Sequence, residues 1–112
     1  NSMFRMYNGQ RKQIELVCSN DVMDAIIDKF GKDAHVLAND MKSFRAVIET
    51  AVGSVFYSWI FGFGGRVVIK APEDVKNEYS KMVLNAGKSL GLFEYGEFEK
   101  QNVLRTDGNS EQ

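Results

Sequence analysis

The 112-residue chain contains few of the residues on which several functions depend. Its single cysteine, Cys18, excludes an internal disulfide, an iron–sulfur cluster and a thiolate zinc site within one chain. No run approaches the roughly 18 apolar residues that span a membrane, and no secretory signal segment is recognisable. The formal net charge of −1 provides no overall attraction to nucleic acid or to an anionic membrane. We therefore expect a soluble, cytoplasmic protein without a cofactor or metal.

The overall composition of the chain predicts one globular domain. An apolar share of 44% and a charged share of 26% are ordinary for such a domain. Alternating polar and apolar residues in RKQIELVC, residues 11–18, indicate a strand. Between Met23 and Phe30, apolar residues recur instead at i, i+3, i+4 and i+7, which is helical spacing. The same two periods predict strands over 34–39, 43–51 and 66–71, and helices over 55–63 and from Pro72 to about residue 90.

The order of these elements predicts the architecture. Strand, helix, strand, strand, helix and strand form two split βαβ units, which make an α+β, ferredoxin-like βαββαβ sandwich. We expect an antiparallel sheet in the order 4-1-3-2, two short helices on one face and an additional C-terminal helix. Residues 1–10 are predicted to be a hinge or a cloning remnant, residues 11–91 the folded domain, and residues 92–112 a partly disordered tail.

Short polar residues and glycines mark the helix ends. Ser54 is predicted to cap the second helix, and Gly31 to end the first in a left-handed conformation. Gly62, Gly64 and Gly65 resemble a phosphate-binding loop at first sight. A phosphate loop, however, precedes a helix, where free N–H groups point at the anion. These glycines follow a helix and precede a strand, so we expect them to terminate the helix.

Side chains that commonly carry catalysis are sparse. His35 is the only histidine, and metal sites need three or four converging ligands. Cys18 ends a predicted central strand, where a small buried thiol is expected rather than a nucleophile beside its base. The sequence shows no nucleophile–base pair, metal-ligand set or cofactor loop, and we expect a non-catalytic protein.

Charged residues mark the sheet face opposite the apolar residues. Two interpretations stay open: a solvated or partner-covered face with ion pairs across strands, or a binding surface for a small ligand. An RNA-recognition sheet is not expected, because it stacks bases on aromatic residues of the central strands. The aromatic residue there, Phe44, has the parity of the core. The candidate ligand or sheet-face surface comprises Glu15, Arg45, Glu49, Arg66 and Lys70.

The segment VFYSWIF, residues 55–61, is apolar on more than one side of its predicted helix. One stripe can face the sheet, but Tyr57 and Phe61 lie at i, i+4 on another side. A helix that is apolar on two sides is usually covered on both. Either the third helix of the same chain or a second subunit provides the cover, and both alternatives stay open. The candidate partner surface comprises Phe56, Tyr57, Trp59, Phe61, Tyr79 and Met82.

Taken together, the segments IELVCSNDVMDAIIDKFG and FRAVIETAVGSVFYSWIFGFGGRVVIKAPEDVKNEY resemble the C-terminal extension of WYL-domain transcriptional regulators. That extension typically has a strand, a helix ending in Phe-Gly, a strand pair, a Phe-x-x-Trp segment ending in glycines, a strand, and then Pro-Glu and a helix. The likeness covers roughly residues 4–90, and FRMYNGQ resembles the hinge that follows a WYL domain. The matching residues are Phe30-Gly31, Phe56, Trp59, Gly62, Gly64 and Pro72-Glu73.

The resemblance implies a ferredoxin-like fold and a homodimeric bacterial parent with three parts: a winged helix that binds DNA, a WYL domain that senses a ligand or single-stranded nucleic acid, and this extension. The extension would serve dimerisation and would relay the effector signal, with the WYL domain of the same or the partner chain as its neighbour. DNA would be bound only by the winged helix, which lies outside this chain. The alternative is a small-molecule-sensing domain similar to ACT domains, which share this order of elements and bind ligand at a subunit interface.

Overall fold

The computed structural model describes residues 9–92 of the chain. The predicted hinge, residues 1–10, and the predicted tail, residues 92–112, lie almost entirely outside these residues. The predicted bounds of the elements are confirmed to within two residues. Within the described part, the elements in chain order are β1 Arg11–Ser19, α1 Met23–Phe30, β2 Ala34–Ala38, β3 Ser43–Ala51, α2 Ser54–Phe61, β4 Val67–Ala71 and α3 Glu73–Ser89.

The strands form an antiparallel sheet in the order β2-β3-β1-β4 within the described residues. This is the predicted order 4-1-3-2 viewed from the other edge, so the ferredoxin-like α+β fold is confirmed. The two long strands, β1 and β3, pair along their whole length, from Arg11 opposite Ala51 to Ser19 opposite Ser43. The two short strands, β2 and β4, are the edges.

One face of the sheet forms the core because apolar residues alternate along the strands. Helix α1 contacts β2 and β3, and helix α2 contacts β4. Fully burying an isoleucine or leucine side chain stabilises a fold by about 1.5–3 kcal/mol. The buried side chains of the strands are Ile14, Leu16, Cys18, Phe44, Ala46, Ile48, Val67 and Ile69, and those of α1 and α2 are Ile26, Phe30, Phe56, Tyr57 and Ile60.

Glycine conformations end both short helices. Gly31 follows α1 with a φ of 51°, and Gly64 and Gly65 follow α2 with φ of 61° and 94°. These positive values confirm that the glycines after α2 terminate a helix and turn the chain towards β4. The predicted cap at Ser54 is wrong by one residue: Gly53 is the N-cap, because its carbonyl accepts the Tyr57 N–H at 3.0 Å.

The chain divides into two compact units. The first unit ends at Asn77 and contains the sheet, α1, α2 and the first residues of α3. The second unit begins at Glu78 and contains the rest of α3.

Candidate functional site

The open face of the sheet holds an ion pair at its centre. Arg45 Nη1 on β3 donates to Glu15 Oε2 on β1 at 3.0 Å. The register places Glu15 opposite Val47 and Arg45 opposite Val17, so the two charged side chains are diagonal neighbours among valines. Both charged side chains are partly exposed, and such pairs contribute about 0–1 kcal/mol to stability. The predicted pairing of charges across strands is therefore present at this position.

Within the described residues, the other charged candidates form no ion pair with Glu15 or Arg45. Glu49 is exposed opposite Gln13, near one end of the central strands, and Lys70 is exposed on β4. Arg66 precedes β4, and its guanidinium donates to Asp21 Oδ2 at 3.0 Å and to the Phe63 carbonyl at 3.1 Å. The structure thus brings together Glu15 and Arg45 and directs Arg66 to the turn that follows β1.

Asp21 and Arg66 form a surface contact at the start of the first helical turn. Hydrogen bonds from the Ser19 hydroxyl and then from Arg66 lower the pKa of the Asp21 carboxyl below its ordinary value. Both side chains of the pair are more than half exposed. Asp21 follows the end of β1, and Arg66 precedes the start of β4. We therefore infer that this ion pair helps to hold these two strand ends together.

Helix α2 separates the aromatic candidates into buried and exposed ones. Phe56 and Tyr57 are buried, so intrachain packing accounts for them. Phe61, at i+4 from Tyr57, is 59% exposed. Val55 on the same helix is also largely exposed. Of the aromatic residues of α2, Phe61 therefore presents the largest apolar surface to a partner.

Trp59 lies at the centre of an aromatic cluster, which we call the Trp59 cluster. Its ring meets that of Phe30 edge-on at 5.3 Å and that of Phe63 edge-on at 4.8 Å between centroids. Lys29 Nζ lies 5.5 Å from the indole centroid, within the range of a cation–π interaction. Edge-to-face aromatic pairs contribute about 0.5–1.5 kcal/mol beyond the area that they bury. The Trp59 cluster therefore joins the end of α1 to the end of α2.

The two candidates on α3 lie in the second unit. Tyr79 and Met82 are three residues apart on the helix, and both are half-buried. Burial raises the pKa of the Tyr79 hydroxyl. Both side chains are therefore only partly available to a partner.

Sequence reasoning missed the apolar character of the β2 edge. Leu37 is 42% exposed, and Val36, on the other face of the strand, is also exposed. Ile27 of α1, the helix that contacts β2, is exposed as well. The signal was present in the segment AHVLAN, which has no charged residue although it was predicted to be an edge strand.

The residues with catalytic or metal-binding potential are dispersed. Cys18 is fully buried at the end of β1, and burial raises the pKa of its thiol to about 11. At neutral pH the thiol is therefore protonated and weakly nucleophilic. His35 is exposed on β2. Within residues 9–92, no three His, Cys, Asp or Glu side chains are grouped so that they could hold a metal ion.

Comparison with known proteins adds no relative. No protein-family model matches the chain, and neither a curated protein nor a solved structure matches it significantly. Among the helices in the described part of the chain, none is long and apolar enough to cross a membrane. The fold class is thus established by the structure, and the family resemblance stays a prediction.

Proposed function

We propose that this domain is the non-catalytic C-terminal module of a WYL-type DNA-binding regulator. In that role it serves dimerisation and relays an effector signal to a winged-helix domain outside this chain. One observation carries the proposal. Motif residues that are distant in sequence, Phe30 before Gly31 and Trp59 in the Phe-x-x-Trp segment, meet at 5.3 Å in the Trp59 cluster. Two motif positions from different parts of the sequence therefore pack against each other, which supports the proposal.

The proposed role needs a surface that a neighbouring domain or subunit can cover. Phe61 lies two residues after Trp59 and is largely exposed. Exposed aromatic residues mark interaction sites more often than chance allows. A neighbour that covers Phe61 would also press on the end of α2, next to the Trp59 cluster. A shift of that neighbour would therefore be transmitted to both α1 and α2, because the cluster links them.

The test uses the full-length regulator that contains this chain. We expect removal of residues 11–91 to abolish its dimerisation and its DNA response to effector, measured by light scattering and by operator binding. Unchanged dimerisation and DNA response after this removal would overturn the proposal.

Single substitutions locate the surface within the full-length protein. Phe61→Ala should weaken the effector response of DNA binding at least tenfold and leave the thermal midpoint of unfolding almost unchanged, because an exposed side chain contributes little to stability. Met41→Ala is the matched control, because Met41 is 95% exposed in the turn between β2 and β3. Equal effects of the two substitutions would contradict the role of Phe61.

A second candidate function is supported by the open sheet face. There Arg45 is partly buried among valines and pairs with Glu15. An acidic ligand could compete with Glu15 for the guanidinium, as expected for an amino-acid-sensing domain. A thermal-shift screen with amino acids and nucleotides tests this: a true ligand raises the unfolding midpoint in proportion to the logarithm of its concentration. Arg45→Met should abolish that rise, and a screen without any hit would count against ligand sensing.

A further inference from the structure

The β2 edge of the sheet is open in the described part of the chain. Within residues 9–92, β2 pairs with β3 and with no other strand. An unpaired edge presents backbone N–H and C=O groups that can accept a further strand. The edge is also apolar on both faces, through Val36 on one side and Leu37 on the other. Backbone and side chains together therefore offer a complete strand-binding surface.

The opposite edge of the sheet shows what a protected edge looks like. Strand β4 has the same length as β2, but Lys70 lies within it and Pro72 follows it directly. Lysine and proline on an edge discourage pairing with another strand, because one brings charge and the other lacks an N–H donor. The five residues of β2 include neither a Lys, Arg, Asp or Glu residue nor a proline. The two edges of one sheet thus differ in the feature that controls strand addition.

We propose that β2 is a self-association edge, along which a second copy of this chain adds its own β2 antiparallel to the first. A two-fold axis through Val36 sets Val36 opposite Val36 of the second copy and His35 opposite Leu37 of the second copy. Residues directly opposite in an antiparallel pair lie on the same face. The result is a continuous sheet of both copies, with the two Val36 side chains side by side on one face and each Leu37 beside His35 of the other copy on the opposite face.

Charge at the two ends of β2 favours a second copy over another partner. Lys32 precedes the strand and Asp40 follows it, and both are exposed. The two-fold axis places the end of β2 that Lys32 precedes beside the end that Asp40 of the other copy follows, so that opposite charges lie near each other at both ends of the paired strands. Asp40, like any exposed aspartate, is ionised at neutral pH, and hydrogen bonds from the Ser43 hydroxyl and the Lys42 N–H lower the pKa of its carboxyl further. Self-complementarity of this kind is the property that a two-fold interface requires.

The small size of the β2 edge limits the affinity that we expect for the dimer. A standard interface buries about 800 Å² per partner, and the edge of a five-residue strand offers less than that. We therefore expect a weak dimer of the isolated chain, with a Kd of about 10 μM or above. The inference names the pairing surface of the proposed dimerisation module and so rests on that proposed function.

The experiment is sedimentation equilibrium of the chain from micromolar to millimolar concentration. We expect a monomer–dimer equilibrium that Leu37→Lys weakens at least tenfold. Val68→Lys is the matched control: Val68 is 48% exposed, lies on the five-residue edge strand β4 and has the same sheet-face parity as Leu37. The control should leave the Kd unchanged. Trp59 fluorescence and circular dichroism verify that each variant is folded.

Substitutions at Lys32 and Asp40 test the proposed register without changing any residue of β2. Lys32→Glu should weaken the dimer, because it places like charges side by side twice per dimer. Adding Asp40→Asn removes this repulsion and should restore part of the affinity. Asparagine keeps the side-chain oxygen that accepts from Lys42 N–H and the Ser43 hydroxyl, so the turn is maintained. Absence of any rescue would overturn the proposed register.

Each of the following results would overturn the β2 edge as the interface. They are a wild-type chain that is monomeric at every concentration, equal effects of Leu37→Lys and Val68→Lys, and slow amide exchange of β2 in the monomer. The last result would show that the chain covers its own edge. A dimer that survives Leu37→Lys leaves the proposed regulator function intact and rejects only the edge. If removal of residues 11–91 leaves dimerisation and DNA response of the full-length protein unchanged, the proposed function itself is rejected.

Discussion

Asp40 shows how a single residue organises the turn between β2 and β3. Its Oδ1 accepts the Lys42 N–H at 2.8 Å and the Ser43 hydroxyl at 2.7 Å. Asn39 Nδ2 donates to the same hydroxyl at 2.7 Å. Aspartate is favoured in such turns because its short side chain can accept bonds from the backbone two residues on. The turn thereby ends β2 and starts β3 at defined residues.

The first prediction concerns acid stability at Asp40. Its folded-state pKa lies below the ordinary value of 3.8, mainly because of the Ser43 hydroxyl. A carboxyl with a depressed pKa contributes stability that is fully present above its ordinary pKa and is lost as the pH falls through the depressed one. Wild type should therefore exceed Asp40→Asn in stability near neutral pH and lose this advantage in acid, as measured by urea unfolding from about pH 6 to pH 2.

Ser43→Ala provides the control for this prediction. It removes the donor that lowers the Asp40 pKa most, so its stability should depend less on pH over the same range. A constant difference between wild type and Asp40→Asn at every pH would contradict the role of the charge.

At the scale of elements, the turn from α2 to β4 contains glycines that differ in backbone conformation. Gly62 has ordinary helical dihedrals, whereas Gly64 and Gly65 have positive φ. Bonds from the Gly64 N–H to the Phe61 carbonyl at 3.0 Å and from the Arg66 N–H to the Phe63 carbonyl at 3.2 Å complete the turn. Residues with side chains adopt positive φ only at a cost.

The second prediction is that alanine costs more stability at Gly64 than at Gly62, because the two glycines differ in backbone conformation. Gly64→Ala should lower the free energy of unfolding by about 1–2 kcal/mol through backbone strain alone, since an added Cβ would meet no atom within 4 Å. Gly62→Ala should change it by less than about 0.5 kcal/mol or stabilise slightly, although its Cβ would lie 3.4 Å from the Trp59 carbonyl. Urea unfolding measures both values. Equal losses at the two positions would show that the backbone conformation does not decide the cost.

At the scale of the whole molecule, the sheet has two unlike faces and two unlike edges. One face is covered by α1 and α2, and the other displays the Glu15–Arg45 pair among valines. Strand β4 contains Lys70 and is followed directly by Pro72, whereas the five residues of β2 include no Lys, Arg, Asp, Glu or Pro. The face with α1 and α2 contains the core, the other face carries partly exposed side chains, and the β2 edge is unpaired within residues 9–92.

The third prediction follows from the open β2 edge. Dimerisation stabilises the folded state by mass action, so the thermal midpoint should rise with protein concentration. We expect a rise of a few degrees over a hundredfold concentration range, on the order of what about 1 kcal/mol produces in a small domain. Differential scanning fluorimetry or calorimetry measures it. Leu37→Lys should abolish the rise and Val68→Lys should preserve it, and a rise in both variants would assign dimerisation to another surface.

Much of the fold was predictable because it depends on local patterns. The alternation around Ile14 and Leu16 identified a strand and its buried face, and the spacing from Met23 to Phe30 identified a helix. The place of Gly64 after a helix excluded a phosphate loop. Each of these inferences uses the conformational preference of a few neighbouring residues, which does not depend on distant parts of the chain.

The candidate site was less predictable because exposure depends on distant residues. Tyr57 and Phe61 are four residues apart and therefore lie on the same side of α2. Tyr57 is nevertheless fully buried, whereas Phe61 is 59% exposed. Arg66 has sheet-face parity, but its guanidinium binds Asp21, whose place after β1 follows from strand pairing.

The amino-acid sequence by itself determined the elements, their order and the parity of each strand, because periodicity and glycine positions act locally. Only the tertiary structure decided which apolar residues are covered, which charges pair, and which edge of the sheet is unprotected. Burial and pairing are properties of residues brought together from far along the chain. The contacts of Phe30 with Trp59 and of Glu15 with Arg45 exist only after the sheet and helices have packed.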